Sequence, residues 1–434
     1  MYRSRRKESV VLLIGDSAFF ALSLPLSLAV RYLEIPTASQ IMAHVPAFTI
    51  VYVLWLIGLY IFDLYSRQTV AFRRRIISVL VRAQIFNLVI GSILFYVFPY
   101  FGIAPKTILI LNAIIATALL ALWRVVLSSL LYSSRPTRAL AIGDGEEFNE
   151  LIRELTQNPK FNFLIEGSSL EDVSRIEPEV IILDPRDTGV SRQMLVEYVI
   201  GGGQVLDARM LYEHIFDRIP LSLVGELWFL ANITSRRHRM YSIAKRLMDI
   251  VISAVLLVPT LLVLPFVAVA IVIESGRPIY IGQTRVGRFG RPTRIFKFRS
   301  MTSDDGGVYT GGKTTLAVTS VGAFMRRTRI DELPQLFNVL RGDISLVGPR
   351  LELPALAAVY REKIPYYDLR HVIQPGLSGW AQIYQQNHPH HGEAVEQTRD
   401  KLSYDLYYIK NRSFALDVKI ALKTIKTIFF LEGV

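Results

Sequence analysis

The sequence has no cysteine among its 434 residues. That excludes a disulfide framework, cysteine-ligated zinc and a thiolate nucleophile. Charge is scarce as well: 20% of residues are charged and 51% hydrophobic, where soluble domains carry about a quarter charged residues. Mean hydropathy is +0.34. These proportions exclude a disordered chain, a collagen-like chain and an ordinary soluble multidomain enzyme, and they concentrate the missing charge outside long apolar runs. The charge that is present is one-sided, 49 basic against 37 acidic residues for a net +12. In a membrane protein such an excess serves topology, anionic lipid and phosphate ligands rather than nucleic acid.

Four apolar runs fill the first third of the chain, at about 10–30, 45–62, 76–98 and 107–131. Each has about the ~20 residues needed to cross ~30 Å of hydrocarbon. The first holds Asp16 and Pro25 and has no small-residue cleavage site before Arg31, so it does not read as a removed signal peptide. Basic residues alternate between the gaps. Arg3, Arg5, Arg6 and Lys7 precede the first run, and Arg31 stands alone in the first loop. The second loop has Arg67, Arg73, Arg74 and Arg75, the third only Lys106, and Arg135 and Arg138 follow the fourth run. The positive-inside rule then predicts a four-span bundle over 1–134 with both ends cytoplasmic.

Residues 135–236 read as α/β. Arg138-Ala-Leu-Ala-Ile-Gly-Asp-Gly145 has the pattern of a buried strand meeting a glycine turn, and Val180-Ile-Ile-Leu-Asp184 and Gln204-Val-Leu-Asp207 read as further strands. Strands alternating with helical stretches predict a small parallel sheet. Gly143 and Gly145 invite a dinucleotide-binding reading, but Phe148 occupies the third glycine position. A structural or oligomerising module competes with that reading. A nucleotide-sugar dehydratase fits poorly, since the segment has no Tyr-x-x-x-Lys pair.

The fifth apolar run, about 247–273, is long enough to span but holds Pro259 and Pro265, each of which removes a helical hydrogen bond. Both flanks are basic: Arg236, Arg237, Arg239, Lys245 and Arg246 before it, Arg277, Arg285, Arg288, Arg291 and Arg294 after it. A crossing would expel one of these flanks. A re-entrant hairpin keeps both on the cytoplasmic side, and this is the reading preferred to a span. Near the end, Val418, Ala421, Leu422, Ile425, Ile428 and Phe429 recur at helical spacing, with Lys419, Lys423 and Lys426 on another face. That predicts an interfacial helix over about 414–431, with a surface helix of a globular domain as the alternative.

Several residues between these two segments are fit for phosphate chemistry. Ile295-Phe-Lys-Phe-Arg-Ser-Met301 alternates like a strand that presents Lys297 and Arg299 on one face, where they could grip phosphate oxygens. A solvated strand face is the bland alternative. Asp304-Asp-Gly-Gly-Val-Tyr-Thr-Gly-Gly312 reads as a mobile loop. Arg326-Arg-Thr-Arg-Ile-Asp-Glu-Leu-Pro-Gln335 opens a helix that runs toward Arg341 and stops at Gly342. Pro334 fits only a first turn, which places Asp331 near the N-cap and Glu332 at the first helical position. Capping is the ordinary role, worth about 1 kcal/mol. Alternatively, the helix N-terminus with Arg327 and Arg329 would keep a carboxylate ionised, and an ionised Asp at a phosphate site can attack phosphorus. Its neighbour could then orient it or hold a metal. Arg350 follows a Gly-Pro turn in Arg341-Gly-Asp-Ile-Ser-Leu-Val-Gly-Pro-Arg350. A second tight turn, Pro375-Gly-Leu-Ser-Gly-Trp-Ala-Gln382, carries an aromatic and an amide, and Tyr404-Asp-Leu-Tyr-Tyr-Ile-Lys-Asn-Arg-Ser413 leads into the last helix.

With these motifs in this order the chain resembles the bacterial sugar transferases, the monotopic phosphoglycosyl transferase superfamily. More narrowly it is similar to the long polyprenyl-phosphate hexose-1-phosphate transferases, over nearly the whole chain and most densely from Lys245 to Phe429. The resemblance implies a membrane protein with a four-helix transmembrane bundle (1–134), a Rossmann-like α/β domain (135–236) and a catalytic α/β domain with a re-entrant helix (237–434). It implies Asp331 as nucleophile with Glu332 as its dyad partner, and Lys297, Arg299, Arg350 and Gln382 as phosphate- and substrate-binding residues. It also implies Mg2+ at Asp331 and Glu332, a UDP-sugar donor and an undecaprenyl (polyprenyl) phosphate acceptor. The site would lie on the cytoplasmic side of a bacterial inner membrane, in contact with lipid, and the bundle or the α/β insert could pair two copies as a homodimer. Two departures stand out. Pro259 and Pro265 replace a single helix-breaking proline between them, and Gln386 stands where many members have an arginine. His388-Pro-His-His391 reads as a polar loop rather than a metal site. The competing class is a catalytically inactive membrane scaffold or regulator of envelope polysaccharide assembly.

Overall fold

The computed structural model describes residues 4–62, 64–65, 73–97, 106–131, 136–158, 161–168, 176–187, 191–233, 239–302, 317–385 and 394–430. They form two compact units, residues 1–137 with 155–164 and residues 138–154 with 165–434. The runs Asp304–Gly312 and Gln386–His391 discussed above lie outside the described residues.

The first unit is a bundle of α1 (Ser4–Tyr32), α2 (Ala38–Ile61), α3 (Arg73–Val97) and α4 (Lys106–Leu131). Helix α1 packs on α2 and α4, and α3 on the same two. Thr37 and Gln40 close a reciprocal cap at the start of α2, satisfying two amides that the helix cannot. Phe20, Phe48 and Trp55 are fully buried, while Ile14, Val53, Ile85, Ile114 and Leu122 face outward. An apolar outside is what hydrocarbon demands, and the polar groups turn inward. Asp16 pairs with Arg124 at 2.5 Å, and Arg124 also donates to the Leu64 carbonyl at 2.6 Å. Asn112 donates to Ser23, Ser27 and Tyr52 at 2.9, 3.1 and 3.0 Å.

The chain continues into a sheet of β1 (Thr137–Ile142), β2 (Phe163–Gly167), β3 (Val180–Leu183) and β4 (Gln204–Asp207), in the order β2-β1-β3-β4. β1, β3 and β4 run parallel, with Ala139 opposite Val180 and Val180 opposite Gln204. Helix α5 (Glu146–Gln157) follows the Gly143-Asp144-Gly145 turn, α6 (Arg192–Ile200) leads into β4, and α7 (Ala208–Phe216) leaves it. Beyond α7 the chain passes through α8 (Glu226–Asn232). Ile219, Val224, Phe229 and Ile233 share one core with Trp380, Leu402 and Leu406. The reason is backbone pairing: the Ile219 amide donates to Ser403 O at 3.1 Å.

Helix α9 (Arg239–Ser275) runs 37 residues and includes both prolines. It is the fifth of the described helices long and apolar enough to cross a membrane, which is consistent with an integral membrane protein. Leu261, Leu262 and Phe266 along its middle are exposed. Its two ends are tied to the globular part. Arg246 donates to Val339 O and Leu340 O, both at 2.6 Å, and Asp249 accepts from Ser345 Oγ at 2.8 Å. Glu274 accepts the Ser320 and Val321 amides at 2.6 and 3.0 Å. The hairpin β5 (Tyr280–Val286) and β6 (Pro292–Phe298) follows, then α10 (Ser320–Arg327), a 3-10 turn at Ile330–Glu332 and α11 (Gln335–Arg341). The remainder comprises β7 (Ser345–Val347), α12 (Pro354–Lys363), a 3-10 turn at Tyr367–His371, β8 (Gly376–Ser378), α13 (Trp380–Tyr384), α14 (Val395–Asn411) and α15 (Phe414–Phe430).

The lysine face of α15 is not turned to water. Lys419 lies over the Trp380 ring at 4.9 Å, and Lys423, buried, lies over Tyr384 at 4.2 Å. Cation–π contact and the Tyr384 hydroxyl give these ammonium groups an inward partner that an interfacial pattern does not anticipate.

Candidate active site

The acidic pair is delivered by a sharp reversal between two short helices. Thr319 caps α10, its Oγ1 accepting the Gly322 amide at 2.9 Å. Arg329 then takes a left-handed conformation (φ 58°), and the 3-10 turn Ile330–Glu332 precedes α11. Asp331 and Glu332 therefore sit on a separate turn before the helix, not on its first residues. Pro334 occupies the N-cap of α11, and Gly342, at φ 91°, ends it. The side chain of Asn338, fully buried, fixes α11 to β6. Its Oδ1 accepts the Phe296 amide at 3.1 Å, and its Nδ2 donates to Arg294 O and Asp343 Oδ2, both at 2.9 Å. That tie brings β6, and with it Lys297, to the acidic turn.

Arg350 arrives from the opposite side. The Gly348 amide donates to Ser378 O at 2.8 Å, and the Gly376 amide to Pro349 O at 2.9 Å. The two segments approach so closely that a Cβ on Gly376 would stand 2.1 Å from the Gly348 nitrogen. Only glycine allows this contact. The turn is thereby fixed, and the Arg350 guanidinium reaches Glu332.

Three cations converge on one oxygen. Glu332 Oε1 accepts from Arg350 Nη2 at 2.6 Å and Lys297 Nζ at 3.4 Å, with Arg329 Nη1 at 3.9 Å. Burial alone would raise the Glu332 pKa, but Arg350, Lys297 and Arg329 outweigh it and hold the carboxyl well below the usual range. Burial lowers the Lys297 pKa, against the pull of Glu332. Asp331 has the opposite balance. Burial first, then the neighbouring Glu332 charge, push its carboxyl up, against Lys297, Arg326 and Arg350. Its Oδ1 is buried with no hydrogen-bond partner among the described residues. A buried polar atom with no partner costs about 1–3 kcal/mol, more when charged, so it marks a place built for something else.

Lys297, Arg350, Asp331 and Glu332 are thus brought together. Arg299 is not. β6 ends at Phe298, and the Arg299 guanidinium turns to the end of α9, donating to Arg277 O at 2.8 Å, Ser275 Oγ at 2.8 Å and the carbonyls of Ser275 and Gly276. Those carbonyls have no helical partner, so the arginine serves as a cap. Gln382 lies on α13 with a buried Oε1 that has no hydrogen-bond partner among the described residues. Trp380 beside it donates Nε1–H to Asp217 O at 2.8 Å and stacks on Tyr407. Sequence reading missed Arg285. It shares a hairpin face with Lys297, because Ile281 pairs Lys297 and Arg285 pairs Thr293. The alternation Gln283-x-Arg285 opposite Lys297 was the available signal. It also missed Arg326, whose Nε donates to Ser300 Oγ at 3.0 Å.

Among the described residues no group of three or more His, Asp or Glu side chains could hold a metal. Two carboxylates with one unclaimed oxygen suit Mg2+, which usually takes one or two carboxylates together with substrate phosphates.

A family model described as bacterial sugar transferase matches residues 240–431. The chain is 37% identical over 265 residues to the UDP-N-acetylgalactosamine-undecaprenyl-phosphate N-acetylgalactosaminephosphotransferase of Aeromonas hydrophila, covering 59% of this chain and 60% of that protein. It is 40% identical over 185 residues to the UDP-glucose:undecaprenyl-phosphate glucose-1-phosphate transferase of Klebsiella pneumoniae, covering 42% and 39%. An uncharacterized sugar transferase of Bacillus subtilis, EpsL, is 36% identical over 192 residues, covering 44% of this chain and 90% of that protein. The chain thus spans less than two thirds of the length of the first two relatives.

Proposed function

The chain belongs to the bacterial sugar transferases, and from that premise we propose that it transfers a sugar 1-phosphate from a UDP-hexose to undecaprenyl phosphate. The observation that carries this reading is the division of labour in the acidic turn. Glu332 Oε1 is taken by Arg350 and Lys297, while Asp331, one residue away, keeps an oxygen that nothing in the described protein claims.

In the first step an Asp331 oxygen attacks the sugar-linked phosphorus of the donor. The bond from that phosphorus to the bridging oxygen breaks, and UMP leaves with the electron pair. Arg350 and Lys297 meet the charge that develops on the phosphoryl oxygens, and Glu332 holds both cations in place. In the second step an oxygen of undecaprenyl phosphate attacks the aspartyl-bound phosphorus. The Asp331–phosphorus bond breaks, the carboxylate is restored, and the product is the undecaprenyl diphosphate sugar. Mg2+ would be held by Asp331 and Glu332 with donor oxygens, and would supply charge neutralisation at the diphosphate.

The acceptor is a lipid, so the site must lie at the headgroup plane. A re-entrant α9 meets that need. From Arg246 to Ile271 a straight helix would measure about 37 Å. Yet Arg246 is fixed to Val339 and Leu340, while Ile271 packs in the cluster that Ile330 joins. These partners are ten residues of largely helical chain apart, about 15 Å. A bend near Pro259 and Pro265 reconciles the two lengths, and with basic residues on both flanks it supports a catalytic part on the cytoplasmic side of a bacterial inner membrane. The pathway served would be an envelope polysaccharide such as exopolysaccharide, capsule or O-antigen.

The test is donor cleavage without acceptor. Purified protein in detergent with Mg2+ meets a panel of UDP-sugars, and UMP release and intact protein mass are read. A stoichiometric burst with a sugar-phosphate adduct on Asp331 is expected. No burst, and no turnover after adding undecaprenyl phosphate, would favour the inactive scaffold.

A further inference from the structure

A second ion cluster is buried beside the dyad, and the reaction as written makes no use of it. Arg370, 2% exposed, sits on the 3-10 turn Tyr367–His371. Its Nη1 donates to the Tyr367 hydroxyl at 2.9 Å and lies 3.4 Å from Glu352 Oε1. Its Nη2 donates to the backbone carbonyl of Arg350 at 3.0 Å and pairs with Asp405 Oδ2 at 2.7 Å. Lys401, one turn before Asp405 on α14, pairs with Glu352. Two cations face two anions, so the cluster is neutral as it stands and has no charge left for a ligand. What it does have is a grip on one stretch of backbone.

That stretch is Pro349–Glu352. The Gly376 amide holds Pro349 O at 2.9 Å on one side, and the Val286 amide holds Glu352 O at 2.9 Å on the other. Arg370 holds the carbonyl between them, and Arg350 carries its own guanidinium from there to Glu332 at 2.6 Å. We propose that Arg370 is a positioning residue of the transferase site: acting through Arg350, it sets where the Arg350 guanidinium stands against the Asp331–Glu332 turn. The inference rests on the transferase reading above. It also gives Lys401, Asp405 and Glu352 a task, that of holding Arg370. The planar fork donates to the Tyr367 hydroxyl from Nη1 and to the Arg350 carbonyl from Nη2, a spread of two nitrogens that a single ammonium does not reproduce. Displacing a catalytic group by about 1 Å costs about 10²-fold in rate.

The experiment compares Arg370→Lys, Arg350→Lys and the double variant in the full-length protein. It reads kcat and KM for UMP release and follows melting temperature in parallel. Each single change is expected to lower kcat about 10²-fold with donor KM near wild type. The double should be no slower than Arg350→Lys, because both changes remove the same placement. Asp368→Asn on the same turn, which breaks the exposed Arg361 pair, should leave kcat unchanged. Losses that multiply to about 10⁴-fold in the double overturn the proposal, as does a loss that merely follows the fall in melting temperature. If Arg370→Lys does not fold, Tyr367→Phe serves instead. It should slow the wild type and be silent in the Arg350→Lys background, and an unchanged kcat in the wild type overturns the proposal. A wild type inactive with every donor overturns the transferase reading and this proposal together. An active wild type that Arg350→Lys slows and Arg370→Lys does not overturns the proposal alone.

Discussion

Two places in this chain have the composition of a phosphate site, and they differ in what is left over. At the Gly143-Asp144-Gly145 turn the side chains of Asp144, Glu147 and Arg186 are engaged by the chain itself. Glu147 takes the Leu221 and Ser222 amides at 2.9 and 2.6 Å, and Asp144 takes the Gly145 amide at 2.7 Å. Arg186 is bound to Asp184 at 2.8 Å and to the Ser222 carbonyl. The carboxyl ends of the strands, where an open α/β sheet takes its ligand, are thus roofed by the segment after α7. At Ile330–Glu332 the cations are spent on Glu332, but one Asp331 oxygen is not. A glycine turn records that backbone can come close. A surplus of buried, unengaged polar atoms says that something else must.

The sharpest way to break this contrast is Asp331→Asn. If the unclaimed oxygen is the nucleophile, UMP release should fall by at least about 10³-fold, with no adduct in intact-mass spectra. Next comes Glu332→Gln, which leaves the partly buried Arg350 and Lys297 without a counter-charge. It should cost about 1–3 kcal/mol in unfolding free energy, measured by denaturant titration, along with most of the turnover.

A third experiment uses pH. Burial pushes the Glu352 carboxyl up, but Lys401 and Arg370 outweigh it and bring it down to about 2. A depressed carboxyl contributes stability that is complete above its unfolded value of 4.5 and is lost as pH falls through about 2. Glu352→Gln should therefore lower the melting temperature at pH 7, and its deficit should shrink steadily below pH 4.5. The smallest effect is expected at the glycine turn. Glu147→Gln should cost about 1–2 kcal/mol and leave turnover in the folded protein unchanged. Added dinucleotide should not shift the melting temperature of the wild type. A shift equivalent to about 2.7 kcal/mol, as at a hundredfold excess over Kd, would mean that the roof opens.

Much of the fold could be read from composition and period. The apolar runs form helices, and strands occur where β-branched stretches meet Asp184 and Asp207. Gly342 ends α11 at a left-handed φ, as its position after Arg341 suggested. The site was legible in part. Lys297, Asp331, Glu332 and Arg350 could be named from residue type and local turn chemistry, whereas their meeting depends on Asn338, whose bonds to Phe296 and Arg294 no local pattern announces. Arg299 shows where alternation fails as a guide. The period-two rule holds only while the strand lasts, and β6 stops one residue short. Helical spacing fails likewise for Lys419 and Lys423, since it says which residues share a face but not that aromatic rings await them.

The passage of residues 219–233 into the core around Trp380 bears on how this protein could be divided, by an experimenter or by evolution. The match to the family model begins at residue 240, yet Phe229 and Ile233 belong to the same hydrophobic interior as Leu402 and Leu406. A fragment cut at the edge of that match would leave a groove along α14, open where Ile219 had paired with Ser403. Modules that look interchangeable in an alignment therefore share a seam here. A transplant that keeps the seam whole would carry the α/β sheet with it, because Glu147 holds Leu221 and Ser222 and Glu213 holds Lys410.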